Sequence, residues 1–121
     1  MITVYGLKNC DTCRRLRRQL DDRAAAYIFV DLRDQPPTAA QAARWADALG
    51  GQALINRRST TWRGLDAATR DAARSNDGAA ALAQAHPAVI KRPIWEGDGK
   101  VGQGVDSAVA AALAKAGSAQ A

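Results

Sequence analysis

The N-terminal part of the chain alternates short apolar runs with a longer amphipathic segment. The apolar runs Ile2–Tyr5 and Tyr27–Val30 have the length and the β-branched or aromatic content of buried strands. Between them, in Asp11–Arg23, apolar residues recur every three or four positions, which is typical of a helix with one buried face. These apolar residues are Cys13, Leu16 and Leu20. A helix that connects two strands of one sheet almost always forms a right-handed crossover, and strands joined by such a crossover are parallel. We therefore predict that the two strands are parallel.

Residues 36–87 have the pattern of short helices separated by polar or glycine-containing turns. The predicted helices are Ala39–Leu49, Asp66–Arg74 and Gly78–Ala85. Thr38 is placed to cap the first of them, and a polar loop at 56–61 separates it from the second. This part of the chain is therefore predicted to be a helical insertion.

The next segment predicts a β-hairpin. Residues 88–95 form an apolar run that is interrupted by Pro93, and residues 96–99 are rich in turn formers. Residues 100–105 then return as the second strand of the pair.

The C-terminal segment is rich in alanine and predicts one more helix. Residues 106–107, an Asp and a Ser, are placed to cap this helix, which is expected to continue to about Ala116. The order of elements is therefore βαβ, a helical insertion, then ββα. This order predicts an α/β protein with a thioredoxin-like fold and a four-stranded mixed sheet. Residues 1–121 are expected to form a single domain, with the insertion at about 36–87 and a flexible tail at 117–121.

Composition and charge narrow the functional classes. Of the 121 residues, 47% are hydrophobic, but no apolar stretch approaches the roughly 20 residues that span a bilayer. The segment Met1–Tyr5 lacks the basic start of a signal peptide, so we expect a cytoplasmic protein with no membrane partner. The net charge of +5 comes mainly from scattered arginines, which favour small anionic ligands over nucleic acid. Nothing in the pattern requires more than a monomer.

The segment Cys10-Asp11-Thr12-Cys13 is the strongest chemical signal in the chain. Cys10 stands where the first strand leads into the first helix, and a helix N-terminus stabilises a thiolate through its free N–H groups and its dipole. Cys13 lies one turn further along, where it is placed to attack a mixed disulfide formed at Cys10. Lys8 adds positive charge nearby. We therefore predict that Cys10 and Cys13 are catalytic.

Two other interpretations of the cysteine pair compete with the redox one. Zinc usually takes four ligands, and only His86 and carboxylates remain to complete a site, so no metal is expected. Two inert buried cysteines are the other alternative. Neither interpretation explains why the pair begins a helix directly after the first strand, and we therefore favour the redox interpretation.

Two further segments carry candidate anion-binding residues. In residues 91–94, Pro93 fits the cis proline of a thioredoxin-like fold, and Arg92 would then direct its guanidinium towards Cys10. The alternative is a trans proline at a strand edge beside an exposed arginine. Arg58 lies among small hydroxyl residues and suits a carboxylate or an oxyanion, with a solvated surface loop as its alternative.

Three separated segments resemble the arsenate reductase C (ArsC) family. They are Tyr5–Thr12, Asn56–Arg63 and Ile90–Ile94. Within that family they are most similar to a branch of uncharacterised reductase-like proteins of the YffB type, and the Spx transcriptional regulators share the same frame. The resemblance covers about residues 2–116. It implies a thioredoxin-like core with a helical insertion.

The resemblance also implies a role for each candidate residue. Cys10 matches the nucleophilic cysteine of the family, and Arg92 with Pro93 matches the arginine before the cis proline that holds an oxyanion. Arg58 matches an arginine of the YffB-type branch and of the regulators. Cys13 matches the second cysteine of the regulators' redox switch.

Typical arsenate reductases differ from this chain at three positions. They carry a His where this chain has Gly6, an arginine where it has Asn56, and a third arginine near Gly102 and Gln103. Tetrahedral arsenate needs several donors around it, so the missing residues disfavour arsenate. Glutathione, or a thiol adduct on a small molecule or protein, is the better substrate prediction.

The leading interpretation is a glutathione-linked thiol reductase with no bound cofactor. Cys10 attacks a disulfide, a mixed disulfide or a thiol adduct, while Arg58 and Arg92 hold an anionic group. Cys13 or a second glutathione then resolves the adduct, and glutaredoxin is a further candidate partner. The alternative is an Spx-like regulator that binds the α subunit of RNA polymerase and uses Cys10 and Cys13 as a redox switch. Arsenate reduction is a third interpretation.

Overall fold

The computed structural model describes residues 1–120, with side chains described for residues 1–114, and Ala121 lies outside the description. The chain divides into two compact units. We call them the sheet unit, which is Met1–Asp34 together with the segment from Arg92 onward, and the helical unit, which is Gln35–Lys91. The predicted insertion at 36–87 falls within the helical unit.

A four-stranded mixed sheet forms the centre of the sheet unit. Its strands are β1 (Ile2–Gly6), β2 (Tyr27–Asp31), β3 (Ile94–Gly97) and β4 (Lys100–Gln103). They lie in the order β2-β1-β3-β4, with β1 parallel to β2 and antiparallel to β3, and β3 antiparallel to β4. This arrangement confirms the predicted α/β class, the parallel pairing of the first two strands and the strand arrangement of a thioredoxin-like fold.

Two helices accompany the sheet in one unit, and helices make up most of the other. Among the described residues they are α1 (Asp11–Asp22), α2 (Ala39–Leu49), α3 (Gly51–Leu54), α4 (Thr60–Arg63), α5 (Ala67–Ala72), α6 (Asn76–Ala85) and α7 (Val105–Gln120). None of these described helices is both long enough and apolar enough to cross a membrane. The helix α7 continues to Gln120, beyond the end that the sequence predicts at about Ala116, and the flexibility expected of residues 117–121 stays a prediction.

One apolar cluster packs α1 and α7 against β1. Successive side chains of a strand point to opposite faces, so Ile2 and Val4 share the face on which both helices pack. The buried members of the cluster are Ile2, Val4, Leu16, Leu20, Val105, Ala108, Val109 and Ala112. Burying one leucine side chain stabilises the fold by about 1.5–3 kcal/mol. This core fixes the end of β1 relative to the start of α1, and Cys10 lies between them.

The helical unit is built around α2, α3 and α6, which pack on one another. Trp45 of α2 and Leu54 of α3 are fully buried there. The predicted cap of α2 is confirmed: the Gln41 N–H donates to Thr38 Oγ1 at 3.1 Å, and the Thr38 N–H donates to Gln41 Oε1 at 2.9 Å. Gly50, at a φ of +87°, then ends α2 as expected.

The structure corrects the sequence prediction for residues 88–95. Pro87–Val89 is a 3₁₀ turn, Ile90 forms only an isolated antiparallel bridge with Ile55, and β3 begins at Ile94. The physical reason is Pro93, which has no N–H to donate to a strand ladder. The predicted hairpin itself is confirmed by β3 and β4, whose turn residues Asp98 and Gly99 both have positive φ.

The predicted loop at 56–61 is also shorter than expected. Its second half begins α4, where the Trp62 N–H donates to the Ser59 hydroxyl at 3.1 Å. Ser59 is therefore a helix cap rather than part of an open loop. The sequence prediction does not include α3, whose four residues follow Gly50 directly and are too few to produce a helical period.

The start of the last helix differs by two residues from the prediction. Gly104, at a φ of +100°, ends β4 early, and the Ala108 N–H donates to the Gly104 carbonyl at 3.1 Å. Residues 106–107 therefore lie inside the first turn of α7 instead of capping it. The Ser107 hydroxyl has a different partner, since it accepts a hydrogen bond from Trp95 Nε1 at 2.9 Å.

Candidate active site

Cys10 is the N-cap residue of α1. Its backbone is extended, with φ −91° and ψ 125°, and its carbonyl accepts the Arg14 N–H at 2.9 Å. The loop Leu7–Cys10, which we call the cysteine loop, is closed by a hydrogen bond from the Cys10 N–H to the Leu7 carbonyl at 3.2 Å. Cys10 is half-buried, so its thiol lies at the surface beside the open N–H groups of the first helical turn.

The surroundings of Cys10 favour its thiolate form. Burial by itself would raise the pKa of Cys10, because it removes water from the charged sulfur. Hydrogen bonds from the Cys13 N–H, the Cys13 thiol and the Thr12 N–H, together with the positive charge of Arg92, outweigh that effect. The pKa of Cys10 therefore lies below the usual thiol value. This is the property that the sequence predicts for a cysteine at a helix N-terminus.

Cys13 has the opposite character. Its side chain is fully buried, and burial raises its pKa to about 11. A hydrogen bond from the Leu7 N–H favours the Cys13 thiolate, whereas the neighbouring Cys10 disfavours it. At neutral pH Cys13 is thus a protonated thiol that donates a hydrogen bond towards Cys10.

The sulfur of Cys13 occupies space that only a glycine leaves open. A β-carbon at Gly6 would lie 2.5 Å from Cys13 Sγ and 3.5 Å from Cε2 of Phe29. Gly6 is the last residue of β1, so the strand and the helix approach each other closely at this point. Any side chain at position 6 would therefore enter the space that the buried thiol occupies.

Arg92 and Pro93 directly precede β3, whose first residue, Ile94, pairs with Tyr5 of β1. The peptide bond between them is cis, as the sequence predicts, and Pro93 is fully buried. The charge of Arg92 lowers the pKa of both Cys10 and Cys13, which places the guanidinium within electrostatic reach of both sulfurs. The anion-binding role of Arg92 stays a prediction.

Lys8 contributes mainly through its backbone. Its ammonium forms an exposed ion pair with Asp34 at 3.7 Å, and such pairs contribute little to stability. The Lys8 N–H, in contrast, donates to Oδ2 of Asp31 at 3.0 Å. The predicted substrate-binding role of the Lys8 side chain stays a prediction.

Asp31 is a residue of this site that the sequence reasoning does not identify. It ends β2, and its side chain is only 2% exposed. Besides the Lys8 N–H, its carboxylate accepts the Arg33 N–H at 2.8 Å. The only sequence signal is an acidic residue at the end of an apolar run, a pattern that is equally typical of any strand end.

Arg58 belongs to the helical unit. Its N–H donates to Asn56 Oδ1 at 3.0 Å, and its side chain is exposed. The Asn56 N–H donates to the Val89 carbonyl at 2.7 Å, and the Lys91 N–H to the Leu54 carbonyl at 2.8 Å. These two bonds join the segment of Arg58 to the segment before Arg92.

A cationic cavity results from that junction within the helical unit. It has a volume of about 490 Å³ and is lined by Ile55, Asn56, Arg57, Arg58 and Lys91. Three of these five side chains are basic and none is acidic, which suits an anionic ligand. The role predicted for Arg58 in anion binding stays a prediction.

Comparison with known proteins shows the family to which this chain is similar. The model of the ArsC family matches residues 5–113. A solved structure of the YffB protein is 37% identical with a TM-score of 0.84, covering 93% of this chain and 99% of that chain. An arsenate reductase (ArsC) related protein from Brucella melitensis, solved in solution, is 35% identical with a TM-score of 0.70, covering 85% of each chain. An uncharacterised protein of Haemophilus influenzae is 37% identical over 100 residues, covering 83% of this chain and 87% of that protein.

These similarities extend over the segments that form the site. The matched residues 5–113 contain Gly6, both cysteines and the Arg92-Pro93 peptide, together with β2, β3, β4 and the last two residues of β1. The solved neighbours share the four-stranded thioredoxin-like architecture. With most of its length matched by one family model, the chain belongs to the ArsC family.

Proposed function

We propose that this protein is a thiol-dependent reductase that uses glutathione as its co-substrate. Membership of the ArsC family and the similarity to an arsenate reductase related protein support a thiol-dependent reductase in general. The single observation that carries the proposal is the position of Cys10, half-buried at the N-terminus of α1 with its pKa lowered. A lowered pKa raises the fraction of thiolate at neutral pH, and the thiolate is the form that attacks disulfides.

The first chemical step uses Cys10 as the nucleophile. Its thiolate attacks the glutathione sulfur of a mixed disulfide, so the Cys10–glutathione bond forms while the substrate leaves as a thiolate and takes a proton from water. In that step the substrate is reduced and Cys10 is oxidised. Arg92, which already acts on the Cys10 sulfur through its charge, is placed to stabilise the negative charge shared among the three sulfurs.

A second glutathione, rather than Cys13, is proposed to complete the cycle. Its thiolate attacks the sulfur of glutathione in the adduct, which releases glutathione disulfide and returns Cys10 to its thiolate. Cys13 is less suited to this step because its sulfur is fully buried and its pKa is raised to about 11. Glutaredoxin, a cytoplasmic thiol donor, is a further proposed partner that would remove the glutathione from Cys10.

Turnover of cysteine–glutathione mixed disulfide, coupled to glutathione reductase and NADPH, tests the proposal. We expect activity in the native protein, no activity in Cys10→Ser, and most of the activity in Cys13→Ser. Absence of turnover in the native protein, with glutathione and with glutaredoxin, would overturn it. Parallel reactions with arsenate distinguish the third interpretation, which requires turnover that depends on arsenate.

The regulator alternative is favoured by one observation, the hydrogen bond between the two thiols. Sulfurs in such contact can be joined by a peroxide, which takes two electrons from the pair and leaves water. In this proposal the disulfide between Cys10 and Cys13 changes binding to the α subunit of RNA polymerase. Binding of the purified C-terminal domain of that subunit, measured before and after oxidation, tests it, and no binding in either state contradicts it.

A further inference from the structure

Asp31 differs in burial from every other acidic residue with a described side chain. It is the one buried charged residue among them, at 5% exposure. Burial alone would raise the pKa of the Asp31 carboxyl group, because it removes water from the charged form. Hydrogen bonds from the Lys8 and Arg33 N–H groups and the positive charge of Arg33 outweigh this effect and hold the pKa of Asp31 below its usual value. The carboxylate is therefore ionised at neutral pH, and each of its two oxygens accepts a hydrogen bond from a backbone N–H.

The hydrogen bonds of Asp31 connect the end of β2 to the cysteine loop. Oδ2 accepts the Lys8 N–H at 3.0 Å, and Lys8 is two residues before Cys10. Oδ1 accepts the Arg33 N–H at 2.8 Å, which closes the chain after β2. The ends of β1 and β2 are also paired here: Gly6 pairs with Asp31, and the Leu32 N–H donates to the Gly6 carbonyl at 2.9 Å.

We propose that Asp31 is a positioning residue, whose carboxylate holds the cysteine loop so that Cys10 remains at the N-terminus of α1. The inference rests on the proposed function, since it concerns the reactivity of Cys10. The cysteine loop has two anchors besides its own turn: Asp31 holds Lys8, and the sulfur of Cys13 accepts the Leu7 N–H. If the Asp31 anchor is lost, Cys10 moves away from the N–H groups that stabilise its thiolate.

Asp31→Asn is the informative variant because it keeps the shape of the side chain. Both backbone partners are donors, so in either orientation the amide directs its NH₂ group at an N–H. One of the two hydrogen bonds is therefore replaced by a repulsive contact. Asp34→Asn is the matched control, since it removes the same charge from an exposed side chain that only pairs with the Lys8 ammonium.

The sign of the effect separates positioning from simple electrostatics. Removing a negative charge near Cys10 favours its thiolate and lowers the pKa of the thiol, whereas releasing the cysteine loop raises it. Other charges around the site are unchanged in both variants: Arg92 and Cys13 act on Cys10, and Arg33 faces Asp31.

The experiment measures the iodoacetamide alkylation rate of Cys10 against pH in the full-length reduced protein, read by mass spectrometry. We expect Asp31→Asn to move the midpoint upward and to slow alkylation at pH 7 by up to about tenfold, the change that a rise of one pKa unit in Cys10 produces. We expect Asp34→Asn to leave the midpoint unchanged or slightly lower. A midpoint in Asp31→Asn that is unchanged or lower overturns the inference.

Two controls keep the result interpretable. If the native protein itself shows the alkylation midpoint of an ordinary thiol, the proposed function fails, whereas a low native midpoint that Asp31→Asn does not change refutes only the role of Asp31. If Asp31→Asn does not fold, amide hydrogen exchange of the native protein decides. Slow exchange at Lys8 supports the anchor, and exchange as fast as in an open loop overturns it.

Discussion

Gly6→Ala tests whether the strand end and the buried thiol are packed as tightly as the structure indicates. The new β-carbon would lie 2.5 Å from Cys13 Sγ, far inside van der Waals contact, and 3.5 Å from the ring of Phe29. Cys13 is fully buried, so its sulfur can move only by displacing core neighbours or by giving up its hydrogen bonds with Leu7 and Cys10. Overpacking of this kind costs about 1–3 kcal/mol.

A double-mutant cycle measured by urea unfolding at neutral pH under reducing conditions isolates this contact. Cys13→Ala alone removes a buried sulfur and is expected to cost roughly 1–2 kcal/mol. In Gly6→Ala/Cys13→Ala the new methyl group enters the space that the sulfur leaves, so the pair should be about as stable as Cys13→Ala alone. The resulting coupling free energy is then about 1–3 kcal/mol, equal to the cost of the clash.

The refuting result is additivity. If the two single changes sum to the double within about 0.5 kcal/mol, Gly6 and Cys13 do not share the space that the structure assigns to them. Gly64→Ala is the control for a glycine without such a contact, since the nearest atom to its β-carbon would be 3.6 Å away. We expect that change to leave the free energy of unfolding nearly unaltered.

Two further predictions concern charge and pH. Arg92→Gln removes a positive charge that lowers the pKa of Cys10, so alkylation of Cys10 at pH 7 should slow. The difference from the native protein should shrink at high salt, because salt screens the charge of Arg92. Equal alkylation rates at low salt would contradict the role of Arg92. Cys13 has a folded-state pKa of about 11 against an ordinary 9.0, so the folded protein binds this proton more tightly than the unfolded chain. Its contribution to stability is present below pH 9 and is lost as the pH rises through 11, in total about 2–3 kcal/mol. Urea unfolding between pH 8 and pH 11.5 should show this loss in the native protein and not in Cys13→Ala, and identical slopes would contradict it.

The sequence is informative where the physics is local. Short β-branched and aromatic runs predict β1 and β2, apolar residues three and four positions apart predict α1, and Thr38 predicts the start of α2. Each of these signals depends only on near neighbours in the chain. The prediction of one strand over residues 88–95 is wrong, because the first part of this apolar run forms a 3₁₀ turn and an isolated bridge between Ile90 and Ile55. That outcome depends on a partner more than thirty residues away, which no local pattern contains.

The site shows the same division. Cys10 and Cys13 are predicted from the motif and its helix position, and the cis peptide before Pro93 is predicted from the place of that proline in a thioredoxin-like fold. The structure places the charge of Arg92 within reach of both sulfurs. The proposed role of Asp31 could not be predicted from the sequence, because it depends on the parallel strand register that brings Asp31 beside Gly6. Its hydrogen bond to the Lys8 N–H spans 23 positions.

The opposite shifts of the two thiols determine the order in which they can react. While Cys10 is a thiolate, its charge and the hydrogen bond that it accepts both hold the proton on Cys13. Once Cys10 carries a glutathione, that charge is gone and the hydrogen bond is weakened, so two of the three causes that raise the pKa of Cys13 decline together. Burial remains, and it keeps the Cys13 sulfur from solvent and from bulky substrates. In the proposed cycle Cys13 therefore reacts only after an adduct has formed at Cys10. We expect an excess of glutathione to bypass it, whereas scarcity of glutathione should favour a slow disulfide between the two cysteines.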